Sequence, residues 1–294
     1  MITHPDENIL PHLKRIWQTC FLDSEKYTSF VFEKLMSARQ MLVKLDDDAR
    51  PVSMLSWKPL RFMAPGLDFI GAYIFGVATL PEYRGKGIST ALMDDLHRIL
   101  IEEGAALSCL VPASPSLFEF YVHRGFETHF YYKKIAIEGS AVPEAVGGEL
   151  TPARFADLED LRTAAFGESS LFGCWDSAYL DYLDEECRRC FGGEVLRFSG
   201  SGRDGCVVCY PRPEGAVLVK EAAVHREDIG ALLSALHRRY SARRYIIRLP
   251  EDHPPEDLSG EILPFAMVKW YDKEKKALAV SSLGSAPWFA FGLD

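Results

Sequence analysis

The sequence predicts a mixed α/β protein built from two similar units. Three observations carry that expectation. Residues 71–92 run from an apolar strand into a basic, glycine-rich turn and then into an amphipathic helix. The same succession of helices, strands and helix begins again after a stretch of small residues and proline. A chain of 294 residues, 48% of them hydrophobic, is long and apolar enough to fill two cores.

Taken in order, residues 8–38 read as two helices broken at Leu22-Asp23-Ser24, and the polar turn Asp46-Asp47-Asp48 joins strands at 40–45 and 51–57. The apolar run 69–79 is the central strand. Ile88, Ala91, Leu92, Leu96, Ile99 and Leu100 then recur at helical spacing, with Asp94, Asp95, His97 and Arg98 on other faces. A strand at 106–111, a helix bearing Tyr121 and paired strands within 126–137 complete the first unit. The small residues and proline near 139–148 read as a linker, so the predicted units are 1–140 and 150–294 about a linker at 141–149.

The second unit repeats the pattern. Helices around 152–166 and 176–190 precede strands at 194–198, 206–210 and 216–223, a helix over 228–240 and a strand at 245–249. Residues 264–272 are expected to give its last strand, and the aromatic segment 286–294 to bring the terminus near the junction of the units. Aligning Gly71-Ala72 with Gly215-Ala216 sets Arg84-Gly85-Lys86-Gly87 near Arg226-Glu227-Asp228-Ile229. The second version is glycine-free and acidic, so its backbone cannot curl freely and its charge repels an anion.

Composition narrows the partners. A net charge of −9 argues against nucleic acid and favours cationic, amine-bearing substrates. The longest apolar run, 69–80, is too short to cross a bilayer, and the start MITHPDENILPHLKR lacks the pattern of a signal peptide, so no membrane association and a cytoplasmic location are expected. Cys187-x-x-Cys190 and Cys206-x-x-Cys209 have the spacing of a four-thiolate zinc site. The first pair ends a helix, however, and the second lies on a strand that points its two thiols to opposite faces, so reduced, buried thiols are expected and no metal is assigned. Cys109 lies in a core strand without an activating partner motif.

The chemistry concentrates at residues 84–90. Glycines there let several backbone N–H groups converge at the positive end of the following helix, which is a site for a diphosphate. A Walker loop requires Ser or Thr after Gly-Lys, whereas Gly87 follows Lys86. A dinucleotide fingerprint requires an acidic residue closing the next strand, and that strand ends in Pro112. What remains is Arg-x-x-Gly-x-small, formed by Arg84, Gly87 and Ser89. It resembles the acetyl-CoA loop of the GCN5-related N-acetyltransferases (GNAT), where Gly or Ala is usual at the position of Ser89. Phe120, Tyr121, Gly125 and Phe126 resemble the Phe-Tyr-x-x-x-Gly-Phe segment of the same superfamily.

The resemblance covers about residues 1–140 and implies a sheet splayed beside its central strand, with the pantetheine arm of acetyl-CoA in the gap. It implies cofactor contacts from Val77, Ala78, Thr79, Arg84, Gly85, Lys86, Gly87, Ile88, Ser89 and Thr90, and a Tyr121 that hydrogen-bonds or protonates the departing thiolate. Many members carry a glutamate base on the central strand, but 69–79 contains no acid. Asp23 is a candidate for the acceptor cleft, although a helix cap by it or Ser24 is the favoured reading. The carboxylate of Asp294 is the second candidate, since related enzymes use a chain terminus as base. Trp17, Phe21, Tyr73 and Phe75 form either an aromatic wall for the acceptor or part of the core. Tandem members, including aminoglycoside-acetylating enzymes of the enhanced-intracellular-survival type, pair an active with a degenerate repeat, and the plan here is similar. The expected activity is acetyl transfer to an amine of a small molecule or peptide, with a non-catalytic acyl-CoA-binding module as the other reading.

Overall fold

The structure, a computed structural model, describes residues 1–144, 147–200, 202–253, 258–281 and 284–293. A short strand β1 (Ile2–Thr3) leads to helices α1 (Leu10–Phe21) and α2 (Glu25–Lys34). Between them Leu22 turns the chain in the left-handed region (φ 61°). The cap of α2 is Ser24, which accepts from the Tyr27 amide at 3.2 Å, so Asp23 is left for another role. Strands β2 (Met41–Leu45), β3 (Pro51–Ala64) and β4 (Leu67–Thr79) form an antiparallel meander, and helix α3 (Ile88–Glu102) crosses over to β5 (Leu107–Leu110), parallel to β4. Helix α4 (Pro115–Val122) and strand β6 (Glu127–Glu138) follow.

The C-terminal half contains β7 (Glu149–Pro152), α5 (Glu159–Phe166), β8 (Phe172–Cys174) and α6 (Ser177–Glu185), which continues into a π-turn at Glu186–Cys190. Then come β9 (Glu194–Ser199), β10 (Asp204–Pro211), β11 (Ala216–Ala223), α7 (Ile229–Tyr240), β12 (Arg244–Leu249), β13 (Glu261–Trp270) and α8 (Lys273–Ser281). Periodicity and turn chemistry place most of these elements from sequence, because each is a local property of the chain; the short strands β1, β7 and β8 and helix α8 are not among the elements expected from it.

Strand order is not local, and here the structure corrects the expectation. The strands form one sheet in the order β1-β2-β3-β4-β5-β13-β6-β12-β11-β10-β9-β7, with β8 on β3. The segment 126–137 is a single strand rather than a pair. Strand β13 does not close the C-terminal half: it lies between β5 and β6, antiparallel to both, with Val268 opposite Cys109 on one side and Glu127 on the other. Strand β6 pairs in turn with β12, Tyr245 opposite Ile137. Phe265, Ala266, Met267 and Val268 are all buried, as a strand covered on both faces requires. The two halves predicted at 1–140 and 150–294 are therefore interleaved in the sheet, and the linker expected at 141–149 begins within a short helical turn (Gly139–Ala141) and ends at the first residue of β7.

Helices α1 and α2 cover one face of β3 and β4 with Leu13, Ile16, Trp17 and Val31, while α3 and α4 cover the other with Leu92, Leu96 and Tyr121. A larger core spans both halves beneath α5, α6 and the terminal segment, where Tyr73, Phe130, Trp175, Phe265 and Phe289 meet. Inside it Arg162 and Glu221, 2% and 0% exposed, form a bidentate pair at 2.6 and 3.0 Å that the Trp288 indole joins at 3.1 Å. Cys206 packs in this core and Cys209 in the one beneath α7, on opposite faces of β10. Among the described residues no His, Cys, Asp and Glu cluster could hold a metal, and no helix is long and apolar enough to cross a membrane.

Because β13 supplies ladder partners to both β5 and β6, residues 1–144 expressed alone should lack cooperative unfolding by circular dichroism. Co-expression with residues 145–294 should restore it. A sharp unfolding transition in the isolated fragment would contradict the interdependence of the halves.

Candidate active site

The site grows from a defect in β4. Met54 pairs with Ala78 and Ser56 with Phe75, so Leu55 of β3 faces both Gly76 and Val77. This bulge is possible because Gly76 sits at φ +62°, and because a Cβ there would lie 2.7 Å from the Trp17 ring. Pairing of β4 with β5 stops at Ile74–Leu110, and the two parallel strands diverge beyond it. The β5-facing edge of residues 75–79 thus opens into a cleft instead of a ladder.

At the far end of that edge the chain turns through Pro81–Tyr83 and the loop to α3. Gly85 and Gly87 both have φ +73°, and Gly87 is the N-cap of the helix, so the backbone curls toward the positive helix end as the sequence predicts. Arg84 Nε donates to Thr79 O at 3.0 Å, tying the loop to the strand. A cavity of about 520 Å³ is lined here by Val77, Ala78, Thr79, Arg84, Gly85, Gly87, Ile88 and Ser89, and by Cys20, Phe21 and Tyr121. Two expected contacts do not line it. Lys86 is exposed on the loop with its ammonium 5.1 Å from the Tyr83 ring, and the Thr90 hydroxyl faces away to accept from Arg124 at 2.6 and 3.1 Å. Arg124, which sequence reasoning passed over, is held by Phe120 O and stacks on the Phe120 ring at 3.3 Å from its centroid.

A second cavity of about 470 Å³ adjoins the first and shares Phe21, Val77, Ala113, Leu117 and Tyr121 with it. Trp17, Asp23, Tyr73 and Phe75, all proposed from sequence for the acceptor side, line it together with Tyr27, Phe191 and Leu293. Asp23 accepts from the Trp17 indole at 2.8 Å, which fixes the carboxylate toward the cavity. Tyr121 lies at the junction of the two cavities. Burial pushes its phenol up to about 12, partly offset by Arg124, so it stays protonated at neutral pH.

Phe191, Leu293 and, behind Tyr27, Glu186 had no sequence signal, since each arrives from the C-terminal half. The terminal segment crosses the shared core with its carbonyls clasped: Trp175 Nε1 donates to Ala290 O at 2.8 Å, Tyr179 to Phe291 O at 2.9 Å and Lys220 to Gly292 O at 3.4 Å. The Leu293 amide then donates to the Tyr73 hydroxyl at 2.8 Å. Asp294, expected as a base, lies outside the described residues.

The corresponding region of the C-terminal half is built differently. A bulge at Lys220 of β11 recurs at the offset that aligns Gly71 with Gly215, and β11 runs parallel to β12 as β4 does to β5. The turn before α7 contains no glycine, and Glu227 and Asp228 occupy it with Arg203 at 2.8 and 3.6 Å.

Residues 2–129 match the family model described as acetyltransferase (GNAT) domain. No curated protein matches the chain in sequence. Among solved structures it is similar in fold to a probable N-acyltransferase of Enterococcus faecalis (21% identity, TM-score 0.76, covering 94% of this chain and 73% of that one). It is likewise similar to a GCN5-related N-acetyltransferase of Anabaena variabilis (14%, TM-score 0.77, 94% and 74%) and to Eis1 of Mycobacterium abscessus (12%, TM-score 0.68, 95% and 76%).

The bulge yields a direct test. Gly76→Ala should destabilise the protein by about 1–3 kcal/mol, the cost of a side chain in left-handed backbone, and should shift tryptophan emission as Trp17 is displaced. An unchanged denaturation midpoint and spectrum would show that the bulge does not depend on glycine.

Proposed function

We propose that this chain, which carries an acetyltransferase (GNAT) domain over residues 2–129, transfers an acetyl group from acetyl-CoA to a primary amine. The single observation that carries this reading is the continuity of the two cavities across Val77 and Tyr121. One cavity ends at a helix N-terminus suited to a diphosphate, and the other is walled by aromatic rings with an aspartate among them.

The residues present fit the co-substrate. The two positive-φ glycines free the backbone N–H groups of residues 85–89 to face a diphosphate, and the unpaired edge of residues 77–79 offers ladder groups to amides of an extended arm. Acetyl-CoA supplies an acetyl group activated as a thioester. The N–H groups at the bulge can donate to a carbonyl oxygen as charge develops there. Asp23 is placed to attract an ammonium group, and the aromatic walls exclude water around it. Tyr121, protonated and central, is the donor for the departing sulfur. The C-terminal half reads as a degenerate copy: its carboxylates take the place of a bound diphosphate, and its terminal segment lies across the shared core.

Acetyl-CoA should stabilise the protein against heat by about 2.7 kcal/mol at a hundredfold excess over Kd, and Arg84→Glu should abolish the shift. Absence of stabilisation by saturating acetyl-CoA in the parent protein would defeat the reading. With a panel of primary amines, Tyr121→Phe should lower kcat for thiol release on the order of 10²-fold while leaving the acetyl-CoA-induced shift intact. Unchanged turnover would remove Tyr121 from the chemistry, and stabilisation without turnover on any amine would leave a binding module.

A further inference from the structure

An amine that arrives as an ammonium ion must lose a proton before it attacks, and residues 69–79 of the central strand hold no acid, while Asp68 at its far end is paired with Arg61. The structure brings one from the other half of the chain. Glu186, 3% exposed, opens the π-turn that follows α6. It makes no ion pair among the described residues. One oxygen, Oε1, instead accepts from Tyr27 at 2.7 Å and from Tyr182 at 2.9 Å.

Tyr27 connects this carboxylate to the acceptor cavity. Its ring lines that cavity beside Asp23, and it also lines a smaller one of about 90 Å³ that contains Glu186. The smaller cavity is large enough to hold water, and besides Phe191, Leu218 and Leu293 its walls include the polar side chains of Tyr210 from β10, Arg212 beyond it, Lys220 from β11 and Arg248 from β12. Burial, reinforced by the Glu186 charge, drives the Tyr27 phenol far above the ordinary tyrosine range. It therefore does not act as a free tyrosinate. A phenol held this way can still pass a proton on while receiving another.

We propose that Tyr27 and Glu186 form a proton relay that deprotonates the acceptor amine, Tyr27 touching the amine and Glu186 acting through it. The inference rests on the acetyl-transfer reading. In the step, an N–H bond of the ammonium breaks and its proton joins the Tyr27 oxygen, while the Tyr27 proton moves to Glu186 Oε1. The charges of an ammonium and a carboxylate are thereby replaced by a neutral amine and a neutral acid. The C–N bond then forms as the C–S bond breaks, and the second amine proton ends on sulfur by way of Tyr121. Glu186 is restored by releasing its proton to the small cavity.

The test is the pH dependence of kcat on an amine that the parent protein acetylates, at saturating acetyl-CoA, for Tyr27→Phe and Glu186→Gln. Each variant should lose activity on the order of 10²-fold near neutral pH. The loss should shrink as the pH rises and vanish toward the amine's own pKa of about 10, where the substrate deprotonates unaided. Acetyl-CoA-induced thermal stabilisation reports that each variant is folded. Tyr27→Phe keeps the ring and its packing, so it decides the matter alone if Glu186→Gln does not fold. A loss that is equal at every pH, or no loss, overturns the relay and assigns the pair a merely structural role. Failure of the parent protein to turn over any amine defeats acetyl transfer itself, and the relay with it.

Discussion

The structure depends on the divergence of β4 from β5. A parallel pair that continued in register would use every backbone group of residues 75–79 in its own ladder. The bulge at Gly76, where positive φ and the close approach of Trp17 demand glycine, instead lies just beyond the last pairing of β4 with β5. The glycine loop before α3, the Tyr121 junction and the second cavity all border this opening. The glycine loop offers backbone donors at a helix N-terminus, and the splay opens the strand edge beside them.

A splayed sheet creates a second problem, since diverging strands expose core on either side. The interleaved sheet resolves it. Strand β13 pairs with β5 and β6 at once, and β6 joins the C-terminal strands, so the weak point of the N-terminal sheet is braced by the rest of the chain. The terminal segment adds cover, its carbonyls held by Trp175, Tyr179 and Lys220 and its last described amide by Tyr73. This explains how a half with an acidic, glycine-free turn remains integral to the molecule. It supplies Phe191 and Leu293 to the second cavity and places Glu186 against Tyr27, so both halves line the candidate site.

The buried polar groups fall into two kinds. Arg162 and Glu221 satisfy each other within the shared core, where the Trp288 indole joins them. Among the described residues Glu186 is held by two phenols, one of which lines the cavity beside Asp23. Similar burial thus has different meaning, and the partner's own exposure to a cavity distinguishes a structural pair from one suited to move protons.

Local chemistry in the sequence determined most of the elements and part of the lining of the candidate site. Apolar periodicity marked α3, glycines marked the curled loop before it, and the Phe-Tyr and Gly-Phe pairs marked the helix that carries Tyr121, because helix formation, turn geometry and capping act over a few residues. The sequence left Asp23 between capping and a cleft, because Ser24 competes for the same helix end; in the structure Ser24 takes the cap and Asp23 accepts from the Trp17 indole. Tertiary structure alone decided the interleaving of β13 and the arrival of Phe191, Leu293 and Glu186. Strand pairing between residues more than a hundred positions apart is fixed by which exposed ladder edges and apolar faces must be covered together, a condition on the whole fold that no short window of sequence contains.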